Sequence, residues 1–116
     1  MKDNILRNKS FDFAVRVVNL YRYLIDEKKE FVLSKQLLRS GTSIGANVEE
    51  AIGGQSRSDF VAKLSIAYKE ARESLYWIEL LNKTEFLSDK ESVSIKSDIE
   101  EILKIIGKIR KTILNS

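Results

Sequence analysis

The chain has 116 residues, of which 43% are hydrophobic and 32% charged, and this length and composition predict a single domain over residues 1–116. It contains no cysteine and no histidine, which excludes disulfides, thiolate metal sites, cysteine nucleophiles and the most common general base. The formal charge of +3 is compatible with a nucleic-acid partner but does not require one.

Targeting signals are not evident in the sequence. The first seven residues lack the apolar core of a signal peptide, and no apolar run approaches the roughly 20 residues that a membrane span needs. We therefore expect a cytoplasmic protein that does not contact a membrane. The absence of proline and the presence of only 5 glycines argue against linkers and low-complexity segments.

The first predicted helix covers about residues 10–29, with Ser10 as its N-cap and Asp12 in its first turn. Two apolar stripes run along it at steps of three and four residues, the spacing of one helical face. The first stripe consists of Phe11, Ala14, Val18, Tyr21 and Ile25, and the second of Phe13, Val17, Leu20 and Leu24.

The second predicted helix begins at Ser34 and stops at the pair Gly53 and Gly54. Its apolar face carries Leu37, Gly41, Ile44, Val48 and Ala51. Gly41 and Gly45 each cost about 1 kcal/mol relative to alanine, so a break over residues 40–43 is an alternative to a continuous helix. The two glycines also form a small-xxx-small pair that would let another helix approach closely.

Two further helices complete the chain. The third covers about residues 58–82, with Ser58 or Asp59 as its cap, and the fourth opens with a capping box formed by Ser88 and Glu91. The fourth then carries isoleucines in four-three alternation: Ile95, Ile99, Ile102, Ile106, Ile109 and Ile113. No segment alternates with the period of a strand, and the connections are short. The sequence therefore predicts an all-α, antiparallel up-down-up-down four-helix bundle.

The apolar faces of these helices are wider than a monomeric bundle needs. Wide faces could fill a generous core, or part of this surface could meet another subunit. We favour self-association into a homo-oligomer.

A line of polar residues runs through the second helix: Arg39, Ser43, Asn47 and Glu50. It could form a recognition groove. The favoured alternative is an internal network that fixes packing, with Arg39 paired to Glu49, Glu50 or a carboxylate of the third helix and Asn47 bonded across the bundle.

Seven basic residues are candidate nucleic-acid contacts: Arg7, Lys9, Arg16, Arg22, Lys104, Lys108 and Lys111. The lysines near the end of the fourth helix could equally stabilise that helix by interacting with the negative end of its dipole. Trp77 is expected to pack in the core or an interface. We find no catalytic residue, metal site or cofactor motif, and expect no small-molecule substrate. The glycines lack the spacing of a phosphate-binding loop.

Several segments of the chain resemble a known family. They are LSKQLLRSGTSIGANVEEA at 33–51, GQS at 54–56, SDF at 58–60, KLSIA at 63–67, KEARES at 69–74 and YWIELL at 76–81. This pattern is similar to the bacterial four-helix bundle family that includes proteins encoded in intervening sequences of 23S ribosomal RNA genes.

The resemblance implies an antiparallel bundle that assembles into a homopentamer, with no catalytic residues to carry over. Its family-typical polar positions are Arg39, Ser43, Asn47, Glu50 and Glu70. A related branch, the accessory proteins of diversity-generating retroelements, forms basic pentameric barrels that contact nucleic acid and a reverse transcriptase. The charge of +3 is lower than such a barrel would carry.

Two functional hypotheses follow. The first is a non-enzymatic, self-assembling bundle associated with structured ribosomal RNA or another nucleic acid through a basic stripe. The alternative is a protein–protein adaptor or scaffold that docks a partner helix and binds no nucleic acid. An enzyme is disfavoured because histidine and cysteine are missing.

Overall fold

The computed structural model describes residues 4–115, which fold into four α-helices. These are α1 (Ile5–Asp26), α2 (Leu33–Ile52), α3 (Arg57–Lys83) and α4 (Asp89–Leu114). No strand occurs in the described range, and none of its helices is long and apolar enough to cross a membrane. The all-α prediction is confirmed.

The helices follow one another around the bundle. α2 packs on α1 and α3, and α4 packs on α3 and α1, while the diagonal pairs make no close backbone contact within residues 4–115. Ion pairs join the start of α1 to the end of α2, between Arg7 and Glu49, and to the middle of α4, between Lys9 and Glu101, while Arg16 further along α1 pairs with the earlier α4 residue Asp98. Such pairing is antiparallel, so the predicted up-down-up-down topology is confirmed.

The start of α1 was predicted incorrectly. The helix begins at Ile5, one residue after Asn4, whose side-chain oxygen accepts a hydrogen bond from the Arg7 amide at 2.9 Å. Ser10, the predicted cap, is buried inside the helix and its hydroxyl donates to the Arg7 carbonyl. Asparagine and serine are both favoured N-caps, and the apolar stripes that begin just after Ser10 pointed to the wrong one.

The buried stripe of α1 also differs from the first predicted one. Phe13, Val17 and Leu24 are enclosed in the core, whereas Phe11 is 67% exposed. The rotation of α1 is set by α2, because a Cβ built on Gly41 would lie 2.8 Å from Val17 Cγ2. The second predicted stripe is therefore the core stripe, and the first one flanks it.

α2 is continuous through residues 40–43, which resolves the alternative left open by the sequence. Glu30, in the loop before the helix, accepts hydrogen bonds from the backbone amides of residues 32, 33 and 34, at 3.1, 2.9 and 2.6 Å. Ser34, where the helix was predicted to begin, is buried one residue inside it, and its hydroxyl donates to the Glu30 carbonyl at 2.7 Å. The Glu30 carboxylate thus satisfies the free amides of the first turn.

The ends of α3 and α4 follow familiar capping rules. Ser56 caps α3, two residues before the predicted Ser58, by accepting from the Asp59 amide. At the other end of α3, Glu85 has φ 70° and its amide donates to Asn82, while the Phe86 amide donates to Leu81. The capping box of Ser88 and Glu91 at the start of α4 is present as predicted.

The core runs along the centre of the bundle. The α2 residues Leu37, Gly41, Ile44, Val48 and Ala51 are all buried, as their spacing predicts. α3 contributes Leu64, Ala67, Ala71, Ser74, Ile78 and Leu81, and α4 contributes Ile95, Ile99, Ile102 and Ile106. The hydroxyls of Ser40 and Ser74 meet at 2.9 Å inside this core and join α2 to α3.

Candidate nucleic-acid interface and assembly surface

The outer side of the α1–α2 contact carries an open groove of about 760 Å³. Phe11 stands beside it with 67% of its surface exposed, and Val15, one turn further along α1, is 46% exposed. The floor is shallow because Gly45 lets α1 approach closely: a Cβ there would lie 3.3 Å from the Ser10 carbonyl oxygen. The groove is lined by Arg7, Asn8, Ser10, Phe11, Asp12, Ala14, Thr42, Gly45, Ala46 and Glu49.

The predicted polar network lies on the outer side of the α2–α3 contact. Arg39 pairs with Glu70 at 3.2 Å and with Glu73, so its partners are carboxylates of α3. The Glu73 carboxylate also accepts a hydrogen bond from Trp77 Nε1 at 2.9 Å. These contacts, first the one from Trp77 and then the one from Arg39, lower the pKa of Glu73. The bond to Glu73 in turn raises the pKa of Arg39.

Glu50 and Asn47, the other members of that network, each make a separate contact. Glu50 pairs with Lys63 of α3 at 2.7 Å. Asn47 was expected to bond across the bundle, but its side-chain amide donates to the Ser43 carbonyl of its own helix at 2.9 Å. An asparagine side chain in a helix can bond to the carbonyl of the preceding turn in place of a neighbouring helix, and Asn47 does so here. The line therefore consists of two bridges to α3 and one bond within α2.

The candidate cations of α1 are largely neutralised. Arg7 pairs with Glu49 at 2.8 Å and Lys9 with Glu101 at 3.0 Å. Arg16 pairs with Asp98 at 2.7 Å, and its second terminal nitrogen donates to the Ser94 hydroxyl, also at 2.7 Å. These side chains close the flanks of α1 against α2 and α4, so their charge is balanced inside the fold.

The candidate lysines of α4 are different. Lys104, Lys108 and Lys111 are exposed, and none has a carboxylate partner within residues 4–115. Lys111 lies in the last turn, where a positive charge interacts favourably with the helix dipole. Lys104 lies about two turns earlier, beyond the range of that effect. This part of the helix therefore presents a line of free positive charge.

Arg22 completes the seven candidates but stands apart from the lysines. Its only described contact is a long hydrogen bond of 3.5 Å to Asn19. Since Arg16 pairs with Asp98, Arg22 lies level with the start of α4, roughly 20 to 30 Å along the bundle from Lys104 and Lys111. The structure thus brings three of the seven candidates into one line and does not form a stripe across α1 and α4.

Sequence reasoning did not find the aromatic contact that one cation makes at this end of the bundle. The Arg110 guanidinium lies over the ring of Tyr68, 5.1 Å from its centroid. Tyr68 and Arg110 are far apart in the chain, so no local spacing signals the contact. Glu73 was also missed as a network member, although its position four residues before Trp77 is the spacing at which helical side chains meet.

No group of three or more potential metal ligands occurs among the described side chains. Together these features define a class: an antiparallel four-helix bundle whose helices are joined by ion pairs on the outside and which carries an open groove between α1 and α2. The chain belongs to the 23S rRNA-intervening sequence protein family, whose model matches residues 2–108.

A solved structure supports the same assignment. It is a protein of unknown function from the S23 ribosomal protein family of Bacteroides thetaiotaomicron VPI-5482. This chain is 55% identical to it with a TM-score of 0.91, over 92% of this chain and 99% of that one. Comparison with curated proteins finds no match. The resemblance inferred from the sequence motifs is confirmed, and the family description names no enzymatic activity.

Proposed function

We propose that this protein is a non-enzymatic, self-assembling helical bundle that associates in the cytoplasm with structured RNA, ribosomal RNA in particular. Assembly uses the α1–α2 groove, and RNA contacts the line of Lys104, Lys108 and Lys111 on α4. The proposal rests on the presence of both features on separate faces of one molecule. The family resemblance implies a pentamer as the assembled state.

The argument for assembly starts from Phe11. This phenylalanine is 67% exposed and lines the groove together with Ala14 and Ala46, so it leaves apolar surface in water that a second copy would cover. Gly45 and Ala46 on the groove floor would let a neighbouring helix approach its backbone. A second copy is the simplest occupant, because homo-oligomers are the most common assemblies of soluble proteins.

The argument for RNA starts from the free lysines. Three unpaired cations along one helix are a modest attraction for phosphates in a monomer. Repeating the line in every subunit raises the effective concentration of binding groups, so that weak contacts combine into stable association. The paired cations Arg7, Lys9 and Arg16 are not needed for this contact.

Light scattering tests the assembly. The monomer mass is 13.3 kDa, so the wild-type chain should give a multiple of that value at micromolar concentration. Phe11→Asp should lower the mass toward 13.3 kDa, whereas Val93→Asp should not, although Val93 is 65% exposed on α4. A wild-type mass of 13.3 kDa would refute self-assembly.

Fluorescence anisotropy with a labelled RNA hairpin tests the nucleic-acid contact. Binding at about 50 mM salt should weaken by tenfold or more at about 200 mM. Replacing Lys104, Lys108 and Lys111 by glutamine should abolish most of it. The matched control replaces Lys28, Lys29 and Lys35, which are exposed at the other end of the bundle, and should have little effect. Binding that ignores salt, or no binding at low salt, contradicts the proposal.

The second candidate is an adaptor that docks a helix of another protein. The groove volume of about 760 Å³ and its apolar rim at Phe11 favour it, since a helix laid in a groove uses such a surface. A pull-down that recovers one stoichiometric protein with wild type, loses it with Phe11→Asp and contains no RNA would select this function.

A further inference from the structure

Gly107 is a glycine inside α4 that the fold itself does not use. A Cβ built on it meets no heavy atom within 4 Å, whereas one on Gly41 or Gly45 would press on α1 at 2.8 or 3.3 Å. Glycine weakens a helix interior relative to alanine. Gly41 and Gly45 offset that cost by allowing α1 and α2 to approach, but no described neighbour fills the space at Gly107. The position is a notch in the helix surface.

The notch lies at the centre of the free positive charge. Lys104 is three residues before Gly107 and Lys111 four residues after it, so both flank it on the helix surface. Lys108 directly follows Gly107, and Arg110 is three residues after Gly107. None of these four cations has a carboxylate partner within the described chain.

Arg110 presents a fixed planar group beside the notch. Its guanidinium carbon lies 5.1 Å from the centroid of the Tyr68 ring. Its Nε is buried and has no hydrogen-bond partner among residues 4–115, so the ring and not a carboxylate holds the side chain. The charge is therefore oriented without being neutralised, which suits stacking on a nucleobase.

Resting on the RNA association proposed above, we infer that the notch at Gly107 is where a single-stranded loop of RNA approaches α4 most closely. The sugar–phosphate backbone lies against the bare helix between Lys104 and Lys111, and a side chain at 107 would hold it away from the helix surface while the long lysine side chains still reach its phosphates. An unstacked base rests on the Arg110–Tyr68 pair. Unpaired nucleotides fit this arrangement because only they expose both a free base face and a flexible backbone.

Two substitutions at one position test the inference. Gly107→Gln fills the notch without changing charge, and Gly107→Ala adds only a methyl group in open space. Anisotropy with an RNA hairpin that has an unpaired loop should show about tenfold weaker binding for Gly107→Gln, the scale of one lost stacking contact. Gly107→Ala should remain within about twofold of wild type, because its Cβ leaves most of the notch open. Circular dichroism confirms that both variants keep their helices.

The salt dependence separates this site from the general charge effect. Gly107→Gln should bind more weakly at every salt concentration, while the slope of the logarithm of the binding constant against the logarithm of the salt concentration stays unchanged. Lys108→Gln should instead reduce the slope by about 0.7, as expected for one phosphate contact to single-stranded nucleic acid. This contrast is the signature of steric exclusion as opposed to lost charge.

Three results would overturn the inference. If Gly107→Gln binds like wild type while Lys108→Gln is weakened, the notch is not the contact and the proposed function stands. If wild type binds no RNA at low salt, the proposed function fails and the inference fails with it. If Gly107→Gln changes the mass of the assembly, the notch is a contact between subunits.

Discussion

Gly41 of α2 and Val17 of α1 approach so closely that a Cβ on the glycine would lie 2.8 Å from the valine Cγ2. Val17 has no exposed surface, and a β-branched residue in a helix has one strongly preferred rotamer, so it cannot turn away. This contact fixes how α1 is rotated on α2 and therefore which of its two apolar stripes is buried.

Replacing Gly41 by alanine should therefore destabilise the protein. Overpacking costs typically 1 to 3 kcal/mol and the improved helix propensity returns about 1, so we expect a net loss of about 1 kcal/mol. Urea unfolding followed by circular dichroism measures it. Gly107→Ala is the control and should gain about 1 kcal/mol, since its Cβ meets nothing. Equal stability of Gly41→Ala and wild type would contradict the close approach.

Glu30 should make α2 sensitive to acid. Its three backbone hydrogen bonds outweigh burial, which acts in the opposite direction, and lower its pKa below the ordinary 4.5. The folded pKa is thus below the unfolded one. The stabilisation is complete above the unfolded value and disappears as the pH falls through the folded value.

Glu30→Gln removes the charged cap and should cost about 1 to 2 kcal/mol at neutral pH. Unfolding curves for wild type and variant should converge as the pH falls below 4.5, because wild-type Glu30 then loses its charge as well. Glu27→Gln, an exposed change three residues away, should show neither effect. A constant difference at every pH would show that the charge of Glu30 does not stabilise the helix.

Glu85 occupies a left-handed backbone conformation, with φ 70°, at the end of α3. Glycine adopts this conformation without steric cost, so Glu85→Gly should stabilise the protein by about 0.5 to 1 kcal/mol. Glu85→Ala removes the same carboxylate but keeps a Cβ, and the difference between the two variants isolates the backbone effect. Thermal unfolding that ranks alanine above glycine would be inconsistent with this turn.

The hydroxyls of Ser40 and Ser74 form a buried pair at 2.9 Å. Ser74→Ala should cost about 1 kcal/mol, because it leaves the Ser40 hydroxyl with only a long contact of 3.4 Å to the Leu37 carbonyl. Ser40→Ala should cost less, because the Ser74 hydroxyl still donates to the Glu70 carbonyl at 2.9 Å. The double change replaces both polar groups by apolar ones of similar shape and should be close to neutral. A double-mutant cycle in urea measures this coupling, and purely additive losses would show that the two hydroxyls act independently.

Local signals predicted the parts of the fold that depend on neighbouring residues. The capping box at Ser88 and the isoleucine spacing that follows specify α4 within the chain itself. The two stripes of α1 have the same spacing, so Phe11 and Phe13 cannot be ranked without knowing that Gly41 will meet Val17. Which stripe is buried is therefore determined by the contact between α1 and α2 and not by the sequence of α1 alone.

The candidate site shows the same division. Sequence identifies Arg16 and Lys104 as cations, yet it does not reveal that Asp98 neutralises the first while the second has no acidic partner in the described chain. For Arg39 the sequence left Glu49, Glu50 and a carboxylate of the third helix open, and the structure selects Glu70 and Glu73 of α3. The partner of Asn47 was predicted incorrectly, since a side-chain amide can bond to its own helix as easily as to a neighbour.

The seam between α1 and α4 has a consequence for how the chain folds. It is bridged by Arg16 and Asp98, which are 82 residues apart in sequence. Helices that are consecutive in the chain are instead joined by short loops. Closing so long a loop costs more entropy than forming a helical hairpin. The hairpins should therefore form early and the seam close last, so that raised salt, by screening its ion pairs, slows the final step more than the first ones.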